Sequence, residues 1–298
     1  MTYSIVARDE KTGQMGVAVQ SHYFSVGSTV TWARAGVGAV ATQSIVDKRY
    51  GPLGLELMSA GKSASESLEG LLRSDEGREM RQVAFVDSKG NVATHTGSKC
   101  IPYAGHVTGD GFSCQGNIMR SERVWESMRE SYQKNGHLPL PERLVEALQA
   151  GEDAGGDIRG KQSAAILVVE KETSPTYWGG RVVELRVEDH PEPVVELRRL
   201  LRYFRGYECA SRGDDLLGEE KFAEALASFE KAHELAPEID ELKYWVGVSL
   251  LSTPEKERGM SMLRELFAKD KNWVQVTRGI LQTRIPPIDP EVAEELMR

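Results

Sequence analysis

Short apolar segments separated by turn residues run along the chain as far as residue 187. Lys11-Thr12-Gly13 separates the first two segments, and Ser88-Lys89-Gly90 separates a later pair, which is typical of β-hairpins. The last segment is an unbroken apolar run and predicts a buried strand. The predicted strands span residues 4–7, 15–19, 26–33, 37–42, 83–87, 92–95 and 164–169.

In two places between these strands, the apolar residues have helical spacing instead. Ser63 precedes one such stretch and is a suitable N-cap for it. The predicted helices span residues 52–60, 63–73, 118–133 and 141–150. Paired helices between blocks of mainly antiparallel strands predict a layered α+β domain over residues 1–187.

The composition changes at 188–193, which we interpret as a linker to a second, all-helical domain over 188–298. Small and aromatic residues recur between about 206 and 272 at the spacing of tetratricopeptide repeats, with Gly213 where two helices must approach closely. Two repeats need capping helices, which 193–206 and 273–283 would supply. A helical bundle without repeats is the alternative interpretation.

Composition and charge exclude several classes of protein. Hydrophobic residues make up 40% of the chain and charged residues 28%, as in a globular protein. The net charge of -8 argues against a general nucleic-acid binder. Because the chain has neither an apolar stretch of about 20 residues nor a secretory signal pattern, we expect a cytoplasmic protein without membrane contact.

Most of the standard catalytic and ligand motifs are absent from the sequence. It contains no P-loop, no GxSxG and no HExxH, and the glycine-rich stretch 105–111 lacks the lysine of a phosphate site. The six histidines have no metal-ligand spacing, so we expect neither metal nor cofactor. Cys100, Cys114 and Cys209 are far apart and are interpreted as reduced thiols.

Thr2 is the strongest chemical candidate, because it follows Met1 directly and begins the first strand. A small residue at position 2 permits removal of Met1, which would leave Thr2 with a free α-amino group. That residue would then carry both a hydroxyl nucleophile and its base. The α-amino group titrates near ~7.7–8.0, so part of it is neutral at physiological pH.

Polar residues at the ends of apolar segments are the other candidates. Asn and Gln side chains in such positions can stabilise an oxyanion, and Asp, Arg and Ser can orient an amine or a substrate. The alternative is that these side chains only satisfy turns and helix caps. The candidates are Gln43, Gln115, Asn117, Asp157, Arg159, Gln162 and Ser163.

Six separated blocks of sequence together resemble a prokaryotic family known as domain of unknown function 1028. The match covers roughly residues 2–200. The family is regarded as Ntn-hydrolase-like, so the resemblance implies a four-layered αββα sandwich with an N-terminal nucleophile, and a C-terminal region described as peptidoglycan-binding. The blocks are Thr2–Asp9, Ala41–Gln43, Tyr50–Leu55, Gln115–Asn117, Arg159–Ala165 and Leu185–Pro191.

The chain departs from proteasome-type Ntn enzymes at two positions. Those enzymes hold a lysine on the third strand that lowers the pKa of the nucleophile, whereas the stretch 30–34 ends in Arg34, which does not exchange protons readily. Ser21 and His22 stand where an aspartate is expected. We count Ser21 and His22 among the candidate substrate-binding residues.

Two hypotheses follow from the sequence. In the first, the protein is an amidohydrolase in which Thr2 attacks a small amide or peptide, such as a peptidoglycan-derived fragment, and Gln43 or Asn117 stabilises the oxyanion. In the second, it is a non-catalytic binding or scaffold protein that recruits a protein partner through its helical repeats. Edge strands and the helical domain favour a homodimer in either case.

Overall fold

The computed structural model describes residues 2–176, 179–283 and 288–297. The chain divides into two compact units, Met1–Leu201 and Arg202–Arg298. Over their described residues, the first unit contains two antiparallel β-sheets, five α-helices and the start of a sixth, and the second unit is all-helical. The expectation of an α+β region followed by a helical region is confirmed.

A six-stranded sheet forms half of the first unit. Its strands are β1 (Thr2–Arg8), β2 (Met15–Ser21), β7 (Gly105–Gly109), β8 (Phe112–Asn117), β9 (Ser163–Val169) and β10 (Arg181–Val187). The spatial order is β10-β9-β2-β1-β8-β7. The strand that carries Thr2 is therefore central, with β2 on one side and β8 on the other.

A four-stranded sheet faces the first sheet. Its strands, in spatial order, are β3 (Thr31–Arg34), β4 (Gly38–Ser44), β5 (Arg81–Asp87) and β6 (Val92–Thr96). Contacts of β1 and β2 with β4, and of β8 with β5, join the two inner faces. Both sheets are antiparallel throughout, and β2 with β9, and β1 with β8, are neighbours in the sheet although other elements separate them in the chain.

Two pairs of helices cover the outer faces of the sheets. The helices of this unit are α1 (Gly27–Val30), α2 (Tyr50–Ser59), α3 (Ala64–Ser74), α4 (Arg123–Lys134) and α5 (Leu140–Asp153). The pair α2 and α3 packs on the four-stranded sheet, and the pair α4 and α5 on the six-stranded sheet. Ser63 caps α3 as predicted, since its Oγ accepts from Glu66 N and Glu66 bonds back to its backbone.

The inner faces change character along each strand. Every second residue of β1 points inward. From the apolar end towards the start of the strand, these residues are Val6, Ser4 and Thr2. The same change, from apolar to amide, occurs from Ala39 and Ala41 to Gln43 on β4, and from Val86 and Ala84 to Gln82 on β5. The space between the sheets therefore has an apolar end and a polar end, both fully buried.

The predicted strand 26–33 is wrong over its first half, where the chain forms the helical turn α1. The β-branched residues of this stretch favour a strand, but packing against β9 overrides that preference. A Cβ on Gly27 would lie only 2.5 Å from Ala165 Cβ, so the backbone of the turn is pressed against the sheet.

One helix boundary and two strands also differ from the sequence predictions. The helix predicted from residue 118 begins at Arg123, because Met119 first forms a β-bridge with Asp157. Strand β7 lies within the glycine-rich stretch 105–111, which was not among the predicted strands. Strand β10 was not predicted, since it is an edge strand in which charged residues interrupt the apolar ones.

The described residues of the second unit form helices and the turns between them. They are α6 (Pro193–Gly218), which begins before the division at Leu201, α7 (Phe222–Leu235), α8 (Asp240–Leu250), α9 (Lys256–Lys269), α10 (Asn272–Thr283) and α11 (Pro290–Met297). A Cβ on Gly213 would lie 2.6 Å from the Phe229 ring, so α6 and α7 approach closely there. None of the helices in the described ranges combines the length and apolar character needed to cross a bilayer.

Candidate functional site

Thr2 lies at the polar end of the space between the sheets. It starts β1, pairs in register with Asn117 of β8, and is 5% exposed. Its Oγ1 donates a hydrogen bond to Ser21 Oγ at 3.0 Å, at the end of β2. The hydroxyl is thus held in one orientation by a neighbouring strand of the same sheet.

Two amide side chains converge on the backbone carbonyl of Thr2. Gln43 Nε2 donates to Thr2 O at 3.1 Å, and Asn117 Nδ2 donates to the same atom at 3.4 Å. Both nitrogens also donate to Gln82 Oε1, each at 2.8 Å. The N–H groups that the oxyanion hypothesis requires are therefore engaged with Thr2 O and Gln82.

Further hydrogen bonds extend this buried network around Gln82. Its Nε2 lies 2.8 Å from Gly116 O and 3.0 Å from Thr96 Oγ1. Ser4 Oγ donates to Gln43 Oε1 at 2.7 Å and accepts from Gln115 Nε2 at 2.6 Å. Gln115, a predicted substrate-binding residue, is fully buried and joins β8 to β1.

One acceptor of the network is left without a partner. Asn117 Oδ1 is buried and has no hydrogen bond within the part of the chain that the structure describes. An unpaired buried polar atom costs about 1–3 kcal/mol and is rare in folded proteins. This oxygen belongs to the residue that pairs with Thr2 and is an available acceptor beside it.

Backbone strain marks the ends of both strands that carry these amides. Ser44, which follows Gln43, has φ +72°, and Ile118, which follows Asn117, has φ +55°. Left-handed backbone is unusual for a β-branched residue such as Ile118. Such strain persists only where the surroundings enforce it, and it is concentrated at functional sites.

A cavity of about 110 Å³ opens at Thr2. Its apolar lining consists of Tyr23, Val26, Val30 and Val46. Its polar lining consists of Thr2, Thr29, Gln43, Ser44 and Arg159. Of the predicted site residues, Thr2, Gln43 and Arg159 reach this cavity.

Arg159 is paired within the cavity wall by a buried aspartate. Its Nε and NH2 donate to the two Asp157 carboxylate oxygens at 3.0 and 2.7 Å, and the Asp157 side chain is fully buried. The same carboxylate accepts from His22 N at 3.1 Å. Asp157 therefore holds the guanidinium at the cavity and fixes the turn after β2.

The remaining predicted residues lie around the cavity without lining it. Ser163 Oγ accepts from Val26 N at 3.0 Å and so fixes the segment that leads into α1. The exposed His22 ring contacts Lys161 O at 3.3 Å, and Gln162 N donates to Ser21 O at 3.2 Å. Their contacts within the protein position loops beside the site.

The ionisable side chain next to Thr2 in the sequence, Tyr3, points to the other face of the sheet. Its OH donates to Oε2 of Glu152, a residue of α5, at 2.7 Å. Burial raises the pKa of both groups above their ordinary values. Among the described residues, no Asp, Glu, His or Lys lines the cavity at Thr2, and no group of three His, Cys, Asp or Glu has metal-ligand geometry.

Sequence reasoning missed Gln82 and the apolar lining of the cavity. Gln82 stands directly before the apolar run 83–86, and Gln43 stands two residues after the run 39–41, and this resemblance was a usable signal. Tyr23 and Val46 lie in loops, where neither periodicity nor a motif marks them. Only the fold brings them to Thr2.

Comparison with known proteins places the fold in one family. A family model described as "Family of unknown function (DUF1028)" matches residues 2–197. The crystal structure of protein SPO2555 from Silicibacter pomeroyi, which is assigned to the same family, is 30% identical in sequence with a TM-score of 0.61. The match covers 67% of this chain and 88% of that one. No curated protein matches the chain.

Proposed function

This chain belongs to the family of unknown function DUF1028, and we propose that its first unit is an N-terminal-nucleophile amidohydrolase. The substrate is a small amide or peptide, and Thr2 acts after Met1 has been removed. One observation carries this proposal. Thr2, whose hydroxyl is held by Ser21, lines a cavity whose described lining contains no carboxylate, imidazole or lysine to serve as its base.

The α-amino group of Thr2 then supplies the missing base. It takes the proton from Oγ1 as Oγ1 bonds to the amide carbonyl carbon, and it returns that proton to the leaving nitrogen as the C–N bond breaks. Water then adds to the resulting ester, the bond from the carbonyl carbon to Oγ1 breaks, and the acid is released. Each proton that the amine accepts is returned within the cycle.

The buried amides would position Thr2 for this reaction. Gln43 and Asn117 hold its carbonyl, and Asn117 Oδ1 is an unpaired acceptor that suits the N–H of an α-ammonium group. For either amide to stabilise an oxyanion, it must exchange its bond to Thr2 O for one to the substrate. The layering of the unit supports the family assignment to the Ntn-like αββα sandwich, because two facing sheets lie between two pairs of helices.

The helical unit would bind a peptide or a peptidoglycan fragment through tetratricopeptide-like repeats. Close helix approach at glycines supports the repeat assignment. A Cβ on Gly247 would lie 2.8 Å from Leu263 Cγ, and one on Gly259 would lie 2.6 Å from Gly247 O. The proposal is tested by measuring whether such fragments bind to the intact chain and whether they contact residues 202–298.

A second function is favoured by the same amide network. Because the N–H groups of Gln43 and Asn117 are engaged and no described lysine lines the cavity, the site also suits a binding protein that holds its ligand without cleaving it. In that case ligand would bind whether or not Met1 is removed. Hydrolysis separates the two functions.

The test is turnover of a panel of fluorogenic N-acyl amides by the full chain. We expect Thr2→Ala to abolish turnover and Thr2→Ser to retain part of it, since serine keeps the hydroxyl. Thr108→Ala is the matched control, because Thr108 is exposed on the same sheet away from the site. Turnover by Thr2→Ala at the normal rate would refute the nucleophile assignment.

A further inference from the structure

The geometry points to a substrate whose acyl group carries a short, branched aliphatic side chain next to the scissile carbonyl. The cavity beside the Thr2 hydroxyl receives this side chain. This inference rests on the proposed function, since it names the substrate class of that site. It is carried by the chemistry, the charge and the size of the cavity.

The apolar floor of the cavity belongs to the rigid core. Val26 and Val30 line it while being only 1% and 3% exposed, and both belong to the apolar cluster between the sheets. Their positions are fixed by packing on β9 and β4. A floor of valine methyl groups favours aliphatic groups and offers no hydrogen bond to a polar one.

The charged side chain at the cavity is already balanced. Arg159 is the only side chain of the described lining that is charged at neutral pH, and the buried Asp157 carboxylate pairs with both its Nε and its NH2. A cationic side chain entering the cavity would lose water without meeting a carboxylate in the described lining, which is strongly unfavourable. The cavity therefore excludes cationic groups.

The size of the cavity separates aliphatic from aromatic groups. Its volume of about 110 Å³ is smaller than the roughly 150 Å³ of a protein cavity that binds benzene. We expect a valine, isoleucine or leucine side chain to fit this space better than a phenyl ring. The floor is part of the core between the sheets, so it yields to a larger group only at a cost.

Exposed apolar residues continue the cavity onto the surface. Tyr23 and Val46 line the cavity and are themselves 57% and 37% exposed, so its apolar lining reaches the surface. Exposed apolar residues grouped around a cleft are typical of ligand-binding surfaces. They extend the preference for apolar groups to the part of the substrate beyond the cavity.

The first experiment measures binding without turnover. The full-length Thr2→Ala protein is titrated calorimetrically with N-acetyl-leucinamide, N-acetyl-phenylalaninamide and N-acetyl-lysinamide. We expect the leucine compound to bind at least about tenfold more tightly than the other two, as one misfitting group in an apolar pocket produces. Equal affinities, or preference for the lysine compound, would overturn the inference.

The second experiment measures turnover of the matching fluorogenic amides. Val30→Ala enlarges the floor, so we expect the leucine-to-phenylalanine ratio of kcat/KM to fall about tenfold. Val17→Ala, a valine of the same core cluster that does not line the cavity, should leave the ratio unchanged. The ratio within one sample does not depend on the folded fraction. An unchanged ratio in Val30→Ala would overturn the inference.

The two experiments distinguish the inference from the function on which it rests. Selective binding of the leucine compound without turnover by the wild-type chain would support the cavity assignment and refute the amidohydrolase. Turnover that depends on Thr2 but favours phenylalanine or lysine amides would support the amidohydrolase and refute the cavity assignment.

Discussion

The two ends of the space between the sheets differ in chemistry although the same strands build them. At one end, Val6, Ala39 and Val86 pack into an apolar cluster. At the other end, the same faces of the same strands carry Thr2, Gln43 and Gln82, joined by hydrogen bonds. Both ends are buried, so burial alone does not explain the choice of residues.

We interpret the apolar end as the part that stabilises the unit and the amide end as the part that serves function. The apolar end stabilises the unit by removing hydrocarbon from water. The amide end gains little net stability, because each amide must replace its lost water with a protein partner. Such residues at core positions are expected where a site requires them, and here they surround the carbonyl of Thr2.

The largest expected effect comes from removing the centre of the amide network. Gln82→Leu leaves Asn117 Nδ2, Gly116 O and Thr96 Oγ1 without the partner they share. We expect the free energy of unfolding in urea to fall by roughly 3 kcal/mol or more. Val86→Ala, at the apolar end of the same strand, should cost roughly 2 kcal/mol. A Gln82→Leu protein as stable as the wild type would contradict the distinction between the two ends.

A smaller effect, on rate alone, is expected at the end of β2. Ser21→Ala removes the acceptor of the Thr2 hydroxyl, so the nucleophile loses its orientation. We expect turnover of the best fluorogenic amide to fall about tenfold, which corresponds to ~1.4 kcal/mol in the barrier, with little change in KM. Ser28→Ala, an exposed serine of α1, is the control. A KM effect without a kcat effect would assign Ser21 to substrate binding instead.

The smallest expected effect is on the pH dependence of stability. It comes from the ion pair of Arg81 and Asp75, which lies beside the polar end. Arg81 precedes Gln82, donates to Ile45 O at 2.7 Å and pairs with Asp75 at 2.9 Å. The Arg81 hydrogen bond lowers the pKa of Asp75 to about 2, below the ordinary value near 3.9. A depressed carboxylate pKa stabilises the fold above the unfolded value, and that contribution is lost as pH falls through the folded value.

We therefore expect the stability difference between the wild type and Asp75→Asn to be constant above about pH 5. It should shrink between about pH 4 and pH 2, as the Asp75 carboxylate of the folded protein is protonated. Urea unfolding of both proteins across this range measures the difference. A difference that grew on acidification would have the wrong sign for this ion pair.

Much of the fold follows from local pattern, whereas most of the site does not. The strands β1, β2, β5, β6 and β9 were predicted because their apolar runs are strong and bounded by turns. The turn α1 was predicted as a strand, since its close packing against β9 at Gly27 leaves no local signal in the sequence. Edge strand β10 escaped prediction because it is half exposed and carries charges.

For the site, Thr2, Gln43 and Asn117 were identified from their positions at strand ends. Their mutual contacts depend on strand register between two sheets, which no local signal encodes. The valine floor of the cavity was hidden for the same reason, because Val30 is apolar in a stretch where many residues are apolar. Chemistry at strand ends is visible in a sequence, but the shape of a cavity is not.

The central claim is that Thr2 with a free α-amino group is the nucleophile. Its most direct test is intact-mass analysis of the native full-length protein after reaction with a hydroxyl-directed acylating probe, followed by peptide mapping. We predict a chain without Met1 that carries a single acyl group on Thr2, and no adduct in Thr2→Ala. Labelled protein that retains Met1, or an adduct on another residue that persists in Thr2→Ala, would contradict the account.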